Sequence, residues 1–270
     1  MILIRYSEIF LKGKNRPEFE RRLVENIRLA PQQNNSSSKV ILKRARILVD
    51  DDPMVHLLEK IPGIQNFSVS EPVSLDILEM RKKAISIAKT KKFNSFKVSC
   101  QRMDKDFFMN SMEIERSVGE EIFENMHKKV DLKKPELTIF IEIAEKKAFI
   151  FTEKIQGIGG LPIGISGRIF ALIEDEQGLN AARLMMKRGC IVFPVYFQES
   201  TYLEKIQELS PGFKIKSFKI TDFKELLSHS KKLKINTISV SDKIENIKKY
   251  NTNLLVLRPL ISVLENENIP

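Results

Sequence analysis

An α+β N-terminal half followed by a small doubly wound α/β domain is the fold class that this sequence predicts. The first observation is the order of strand-like and helix-like stretches, βαββαβ over residues 1–73 and αβαββ over 74–167. The second is a strict alternation of strand and helix from Arg168 onward; strands separated by helical stretches imply parallel pairing and right-handed crossovers. The third is size: 270 residues with 42% hydrophobic content suffice for two or three cores at ~100–200 residues per domain.

Residues 2–8 (ILIRYSE) read as a strand. Asn15 and Glu18 have capping-box spacing ahead of a helix that carries Phe19, Leu23 and Ile27 on one face. Pro17 falls in its first turn, where a missing N–H costs little. PQQNNSSS (31–38) is a polar loop; VILKRARILVD (40–50) supplies one or two strands, PMVHLLEK (53–60) a short helix, and 64–71 a further strand. That order describes a small ferredoxin-like sandwich.

A second unit opens at 74–92, with Ile77, Met80, Ala84 and Ile87 at helical spacing and Lys89, Lys91 and Lys92 at the C-terminal end, where the helix dipole favours cations. FKVSCQR (96–102) alternates as a strand with Phe96, Val98 and Cys100 on one face. Asn110 and Glu113 form a second capping-box pattern before Ile114, Val118 and Ile122, and 137–143 with 147–154 read as a hairpin. The last third predicts strands at 168–173, 190–197, 213–220, 235–240 and 253–257, and helices at 177–188, 201–209, 222–230 and 242–249. Domain boundaries are therefore expected at 1–73, 74–167 and 168–270.

Lys and Arg number 45 against 35 Asp and Glu, for a net charge of +10 and a pI near 9.4. A polyanionic partner, nucleic acid first, is the natural match. Cations outnumber anions in all three segments, 12 to 9, 17 to 14 and 16 to 12, which suits a surface spanning domains better than a basic tail. No apolar run approaches the ~20 residues of a bilayer span and no signal pattern opens the chain, so a soluble cytoplasmic protein is expected. Cys100 and Cys190 make no CxxC pattern and the histidines are scattered, so no metal site is expected.

Five strings, IRYSEIFLKGKNRPEFE (4–20), FMNSMEIERSVG (108–119), FTEKIQGIGGLPIGISGR (151–168), MKRG (186–189) and VLRPLI (256–261), resemble the ThiI-type tRNA 4-thiouridine synthetases in sequence and in order. The resemblance reaches across nearly the whole chain. It implies an N-terminal ferredoxin-like domain, a THUMP RNA-binding domain and a PP-loop ATPase-like domain. Family members adenylate a tRNA uridine with ATP and then replace oxygen by sulfur, the first two domains holding the acceptor end.

Lys12, Gly13, Lys14, Asn15 and Arg16 set three cations beside a helix N-terminus, whose free N–H groups favour phosphate; a solvated turn is the plain alternative. Lys97, Gln101, Arg102 and Lys105 surround a strand end, with Asn110, Ser111 and Arg116 on the next helix. Gln156-Gly157-Ile158-Gly159-Gly160, flanked by Lys154 and Arg168, would let backbone amides approach phosphate or ribose, or act as a hinge. These are the RNA-binding candidates. Few aromatics lie near them and Trp is absent, so recognition of an RNA helix by shape, 2′-OH and phosphate is expected, with strong salt dependence.

Family enzymes follow the first strand of the third domain with Ser-Gly-Gly-x-Asp-Ser, whose backbone N–H groups wrap the pyrophosphate of ATP. This chain has Glu174-Asp175-Glu176-Gln177-Gly178 there. One carboxylate about 5 Å from one phosphate charge costs roughly 3 kcal/mol at an effective dielectric of 20. Mg²⁺ held by the three acids would be an alternative, but adjacent residues rarely face one ion; Asp175 as an N-cap suffices. SVSDKIENIKKY (239–250) replaces a second family segment, Cys190 suits a small core residue better than a catalytic thiol, and no rhodanese-like extension is expected after Pro270. No catalytic residue and no cofactor is therefore expected, ATP and Mg²⁺ entering only if the chain is active. The expected function is that of a tRNA-binding pseudoenzyme with tRNA, near the acceptor stem, as partner. Its alternatives are a tRNA sulfurtransferase of 4-thiouridine or thiamine-thiazole synthesis, working alone or with a catalytic partner, and an oligomerisation or sulfur-relay protein that does not meet RNA; a homodimer or a catalytic partner protein is the further partner expected beside tRNA.

Overall fold

The structure, a computed structural model, describes residues 1–270 except 7, 31–38, 44, 51–54, 200, 209, 211, 251 and 264–270. The polar loop expected at 31–38 lies outside the described residues. In chain order the elements are β1 (Ile2–Arg5), a 3-10 segment (Glu8–Asn15), α1 (Arg16–Leu29), β2 (Val40–Lys43), β3 (Arg46–Val49), α2 (Val55–Leu58), β4 (Asn66–Val69), β5 (Glu71–Ser74), α3 (Ile77–Lys89), β6 (Ser95–Arg102), α4 (Ser111–Met126), β7 (Lys129–Val130), β8 (Leu137–Ala144), β9 (Lys147–Phe151) and β10 (Ile155–Gln156). There follow β11 (Arg168–Leu172), α5 (Glu176–Lys187), β12 (Ile191–Tyr196), α6 (Tyr202–Glu208), β13 (Phe218–Lys219), α7 (Phe223–Leu233), β14 (Thr237–Ser239), a 3-10 turn (Ile244–Asn246) and β15 (Leu255–Leu257). Two compact units emerge: Met1–Arg5, Lys39–Pro53 and Asn66–Gln156 form one, and Tyr6–Ser38, Met54–Gln65 and Gly157–Pro270 the other.

The first unit holds two five-stranded sheets. One is antiparallel in the order β10-β4-β1-β3-β2. The other, β5-β9-β8-β6-β7, is mixed, with β6 parallel to β8 and β7. Strand alternation turns Phe96, Val98, Ile139 and Ile141 into a core with Met80 and Ala84 of α3 and Ile114, Val118 and Ile122 of α4. The opposite face lays Phe149 and Phe151 against Leu3 and Leu48 of the antiparallel sheet. The capping box expected at α4 is present in both directions: Glu113 N–H donates to Asn110 Oδ1 at 3.0 Å, and Asn110 N–H to Glu113 Oε2 at 2.7 Å.

In the second unit, all five strands are parallel in the order β13-β12-β11-β14-β15. Ile169, Ala171 and Ile173 point to one face and pack with Leu179, Ala182, Met186 and Ile206. Phe170 and Leu172 point to the other and pack with Leu226, Ile238 and Val240. Helices on both faces make this the doubly wound domain that the sequence predicts.

Three local expectations are corrected. Asn15 precedes α1 in a right-handed helical conformation and makes no side-chain cap bond, because the 3-10 segment already leads into the helix. The strand expected over 213–220 shrinks to β13; Gln207 holds the preceding backbone instead, its amide donating to Phe213 O at 2.5 Å and accepting from Ile215 N–H at 2.9 Å. The helix expected over 242–249 is a single 3-10 turn at Ile244–Asn246. Its apolar residues Ile244 and Ile247 stay exposed, and Asp242 draws the Lys248 N–H to its carboxylate at 3.1 Å.

Candidate nucleic-acid interface and nucleotide crevice

In the first unit, Lys97 lies on β6 facing away from the Phe96 core, beside Thr138 of β8. Gln101 is exposed at the end of the same strand, and Lys105 and Arg116 are exposed nearby in sequence. Arg102 folds back: its Nη2 donates to Lys105 O at 2.5 Å and Phe107 O at 3.0 Å, so it braces the 103–108 loop. Asn110 is held in the capping box, and Ser111 hydrogen-bonds the half-buried Cys100, whose thiol burial pushes up to about 11. Phe108 is 80% exposed beside these cations.

Beneath the candidate residues lies a charge cluster that the sequence reading missed. Glu142 is 2% exposed and takes Arg5 Nε on one oxygen at 3.0 Å and Arg46 Nε on the other. Arg5 Nη1 also donates to Asn66 Oδ1 at 3.2 Å and Ser68 Oγ at 3.0 Å, while its buried Nη2 has no partner. Burial holds the Arg5 guanidinium below its usual pKa, with Arg46 adding repulsion and Glu142 opposing both. Lys154 sits 4.5 Å from the Phe140 ring centre, and burial, then Arg5, lower its pKa. The available signal was one charged residue inside each of three otherwise apolar runs, ILIR, RILV and LTIFIEI.

In the second unit, Lys12 and Lys14 flank Gly13, which adopts φ 51° with open space around it. Lys14 is exposed, and Lys12 Nζ lies 5.3 Å from the Phe19 ring. Arg16 is tied inward, donating to Glu20 at 2.7 Å and to Tyr6 Oη at 3.1 Å and stacking 4.5 Å over Phe10. Tyr6 in turn donates to Glu20, and burial with that bond pushes its hydroxyl up to about 12. The glycine loop is likewise engaged: Gly157 N–H donates to Gln65 O at 3.0 Å and Gly159 N–H to Ile64 O at 2.8 Å. A Cβ on Gly160 would stand 2.1 Å from Lys187 O, so that glycine permits close backbone packing. Arg168 opens β11 with its side chain exposed. The candidates thus fall into two groups, one in each unit.

Sheet order reverses between β11 and β14, the switch point outside whose carboxyl ends doubly wound folds bind ligands. Glu174, Asp175, Glu176 and Gln177 are exposed there. Asp175 is the N-cap of α5 and takes the Gly178 N–H on Oδ1 at 2.7 Å, so the first available helix amide is already occupied by a carboxylate. Beyond β14, buried Asp242 accepts from Tyr250 Oη at 2.6 Å and Arg258 Nε at 3.1 Å. Burial and Asp242 raise the Tyr250 pKa, with a smaller contribution from Glu174. Cys190 is buried in the core of this domain, and burial raises its thiol pKa.

Two sheets of the first unit and a parallel, doubly wound sheet in the second define a three-module protein of the THUMP class. The model for the ThiI ferredoxin-like domain matches residues 1–68 and that for the THUMP domain residues 75–153. A Methanocaldococcus jannaschii protein named "Probable tRNA sulfurtransferase" is 32% identical over 98% of this chain and 72% of its own length. PH1313 from Pyrococcus horikoshii superposes with a TM-score of 0.86 at 30% identity, covering 98% of this chain and 95% of that one. A 4-thiouridine synthetase crystallised with RNA and bound ATP gives a TM-score of 0.80 at 25% identity, covering 96% and 80%. The chain belongs to the ThiI-type tRNA sulfurtransferase family. It spans 54% and 63% of the length of two other curated relatives, from Caldanaerobacter subterraneus and a Thermoanaerobacter species. Among the described residues no helix is long and apolar enough to cross a membrane.

Proposed function

We propose that this chain binds tRNA near its acceptor stem through the domains at 1–73 and 74–167, acting in the cytoplasm, and that its domain at 168–270 does not adenylate. The 4-thiouridine synthetase of the same fold is an RNA complex, which supports the first half. The second half is carried by the switch-point crevice, where the Asp175 carboxylate caps the Gly178 amide. ATP does not fit that donor set. A pyrophosphate there would meet Glu174, Asp175 and Glu176, each costing roughly 3 kcal/mol at about 5 Å before screening, and no catalytic step is derived through it.

The RNA contacts fall to the exposed Lys14 and half-buried Lys12 in one group and to the exposed Lys105 and Arg116 with half-buried Lys97 in the other. Arg16 and Arg102 position the segments that carry them. The test is tRNA binding against heparin competition: the full chain should prefer tRNA, and Lys12→Glu with Lys14→Glu should weaken it. Equal affinity for heparin and tRNA would remove the proposal. A second reading, a sulfurtransferase completed by further chain or a partner, is favoured by the names of the relatives and by their greater length. Release of pyrophosphate from ATP in the presence of tRNA would establish it.

A further inference from the structure

Three segments meet at the end of the mixed sheet where β6 begins: the turn 90–94 after α3, the stretch 127–130 after α4, and the turn 131–136 before β8. Backbone bonds join them, with Lys129 N–H donating to Asn94 O at 3.1 Å and Asp131 N–H to Phe96 O at 2.9 Å. They carry Lys91, Lys92, Lys128, Lys129, Lys133 and Lys134 against Asp131 and Glu136. Both carboxylates accept hydrogen bonds from uncharged groups of the same segments. Asp131 Oδ1 accepts the N–H groups of Lys133 and Lys134 at 3.0 and 2.9 Å. Glu136 clasps Asn94, accepting its N–H at 3.0 Å and its Nδ2 at 3.2 Å.

None of the six lysine ammonium groups has a carboxylate within 4 Å among the described residues, although, after the N–H bonds of Lys134 and Lys133, the charge of Lys129 also helps lower the pKa of Asp131. By contrast, Lys82 and Lys83 of the adjoining α3 pair with Glu79 and Glu71 at 3.2 and 2.6 Å. Complementing helix dipoles does not account for them all, because that effect fades within the last turn and Lys133 and Lys134 lie well past the end of α4. Lys91, Lys92 and Lys128, with Asn94 and the Glu136 that clasps it, line a basin of about 500 Å³ floored by buried Phe93. The nearest further carboxylate in sequence is the exposed Glu124 on the last turns of α4.

We propose that this end of the mixed sheet is a second phosphate-contacting surface, which takes the sugar-phosphate backbone of the bound tRNA. It rests on the tRNA-binding function proposed above. The eight residues of β6 separate it from the Gln101 end of the same strand by roughly 23 Å at ~3.3 Å per residue. Lysine ammonium groups act on phosphate as point charges and read no base, so the contact is indifferent to sequence.

The experiment titrates tRNA into the full chain at salt concentrations from about 50 to 200 mM, comparing it with Lys91→Glu/Lys92→Glu/Lys128→Glu and with the same three positions changed to Gln. Each lost phosphate contact should flatten the log–log salt slope by ~0.9, so both variants should lose about two to three units of slope, and the Glu variant should bind at least ~10-fold more weakly at low salt. Unchanged melting would show that both fold. Steep salt-dependent binding by the unsubstituted chain with slope and affinity intact in both variants overturns this surface alone. No tRNA binding by the unsubstituted chain overturns the proposed function, and the surface with it.

Discussion

Replacing Glu142 with Gln should strip the compensating charge from two buried guanidinium groups at once. Arg5 and Arg46 are 7% and 5% exposed, and both Nε atoms are bonded to this carboxylate. Arg5 is already strained electrostatically, with burial depressing its pKa and Nη2 unpartnered. Removing one member of a buried ion pair costs about 3–5 kcal/mol, which corresponds to ~6–20 °C of melting temperature for a protein of this size. Because the chain contains no Trp, urea and thermal unfolding are best followed by far-UV circular dichroism. The double variant Glu142→Gln/Arg46→Met should lose less than the sum of its singles, since taking out both partners leaves fewer unpaired charges. A Glu142→Gln protein within about 1 kcal/mol of the parent would refute the need for this carboxylate to compensate the two buried guanidinium groups.

Three further outcomes are expected. Gly160→Ala should cost upwards of ~3 kcal/mol in urea unfolding, because its Cβ would meet Lys187 O at 2.1 Å at φ 76°, whereas Gly13→Ala, in open space at φ 51° and ψ −122°, should cost only the ~1–3 kcal/mol of a sparsely populated backbone conformation. Tyr6 holds its proton to about pH 12 when folded against 10.0 unfolded; between those values the unfolded chain releases a proton that the folded chain keeps, so stability present below pH 10 is lost as pH rises, and Tyr6→Phe should flatten that loss in unfolding curves measured across the window. Asp175→Ala should lower stability by ~1 kcal/mol through the lost cap without restoring ATP binding, as Glu174 and Glu176 remain; a saturable ATP isotherm for that variant would count against the charge argument.

What the sequence disclosed depended on the range of the interaction. The Asn110–Glu113 box is a contact three residues long, and it is legible because both partners sit in one short string. The same pattern at Asn15–Glu18 fails because the preceding 3-10 segment fixes the Asn15 backbone before its side chain can cap. Alternation along β6 identified the face that packs, while β7 and β10, two residues each, are too short for any period to show. The Glu142 cluster joins residues 137 and 96 positions apart, so only the lone charges in apolar strands hinted at it. Among the candidate residues, composition could not separate exposed cations such as Lys14 and Lys105 from Arg16, held by Glu20 and Tyr6, and Arg102, held by the backbone of its own loop. The glycines at 157–160 were legible as points of close approach, but their approach is to protein carbonyls at 64, 65 and 187. At 242–249 the strand–helix alternation implied a helix, where the buried Asp242 carboxylate instead gathers Lys248 N–H, Tyr250 and Arg258 around a single 3-10 turn.

Calorimetry of ATP with Mg²⁺ against the full chain, alone and with saturating tRNA, separates the proposed RNA-binding half from the proposed nucleotide-free domain in one experiment. Addition of tRNA should give salt-sensitive heat, and ATP should give no saturable heat in either titration. A saturable ATP isotherm, with or without tRNA, would contradict the nucleotide-free domain.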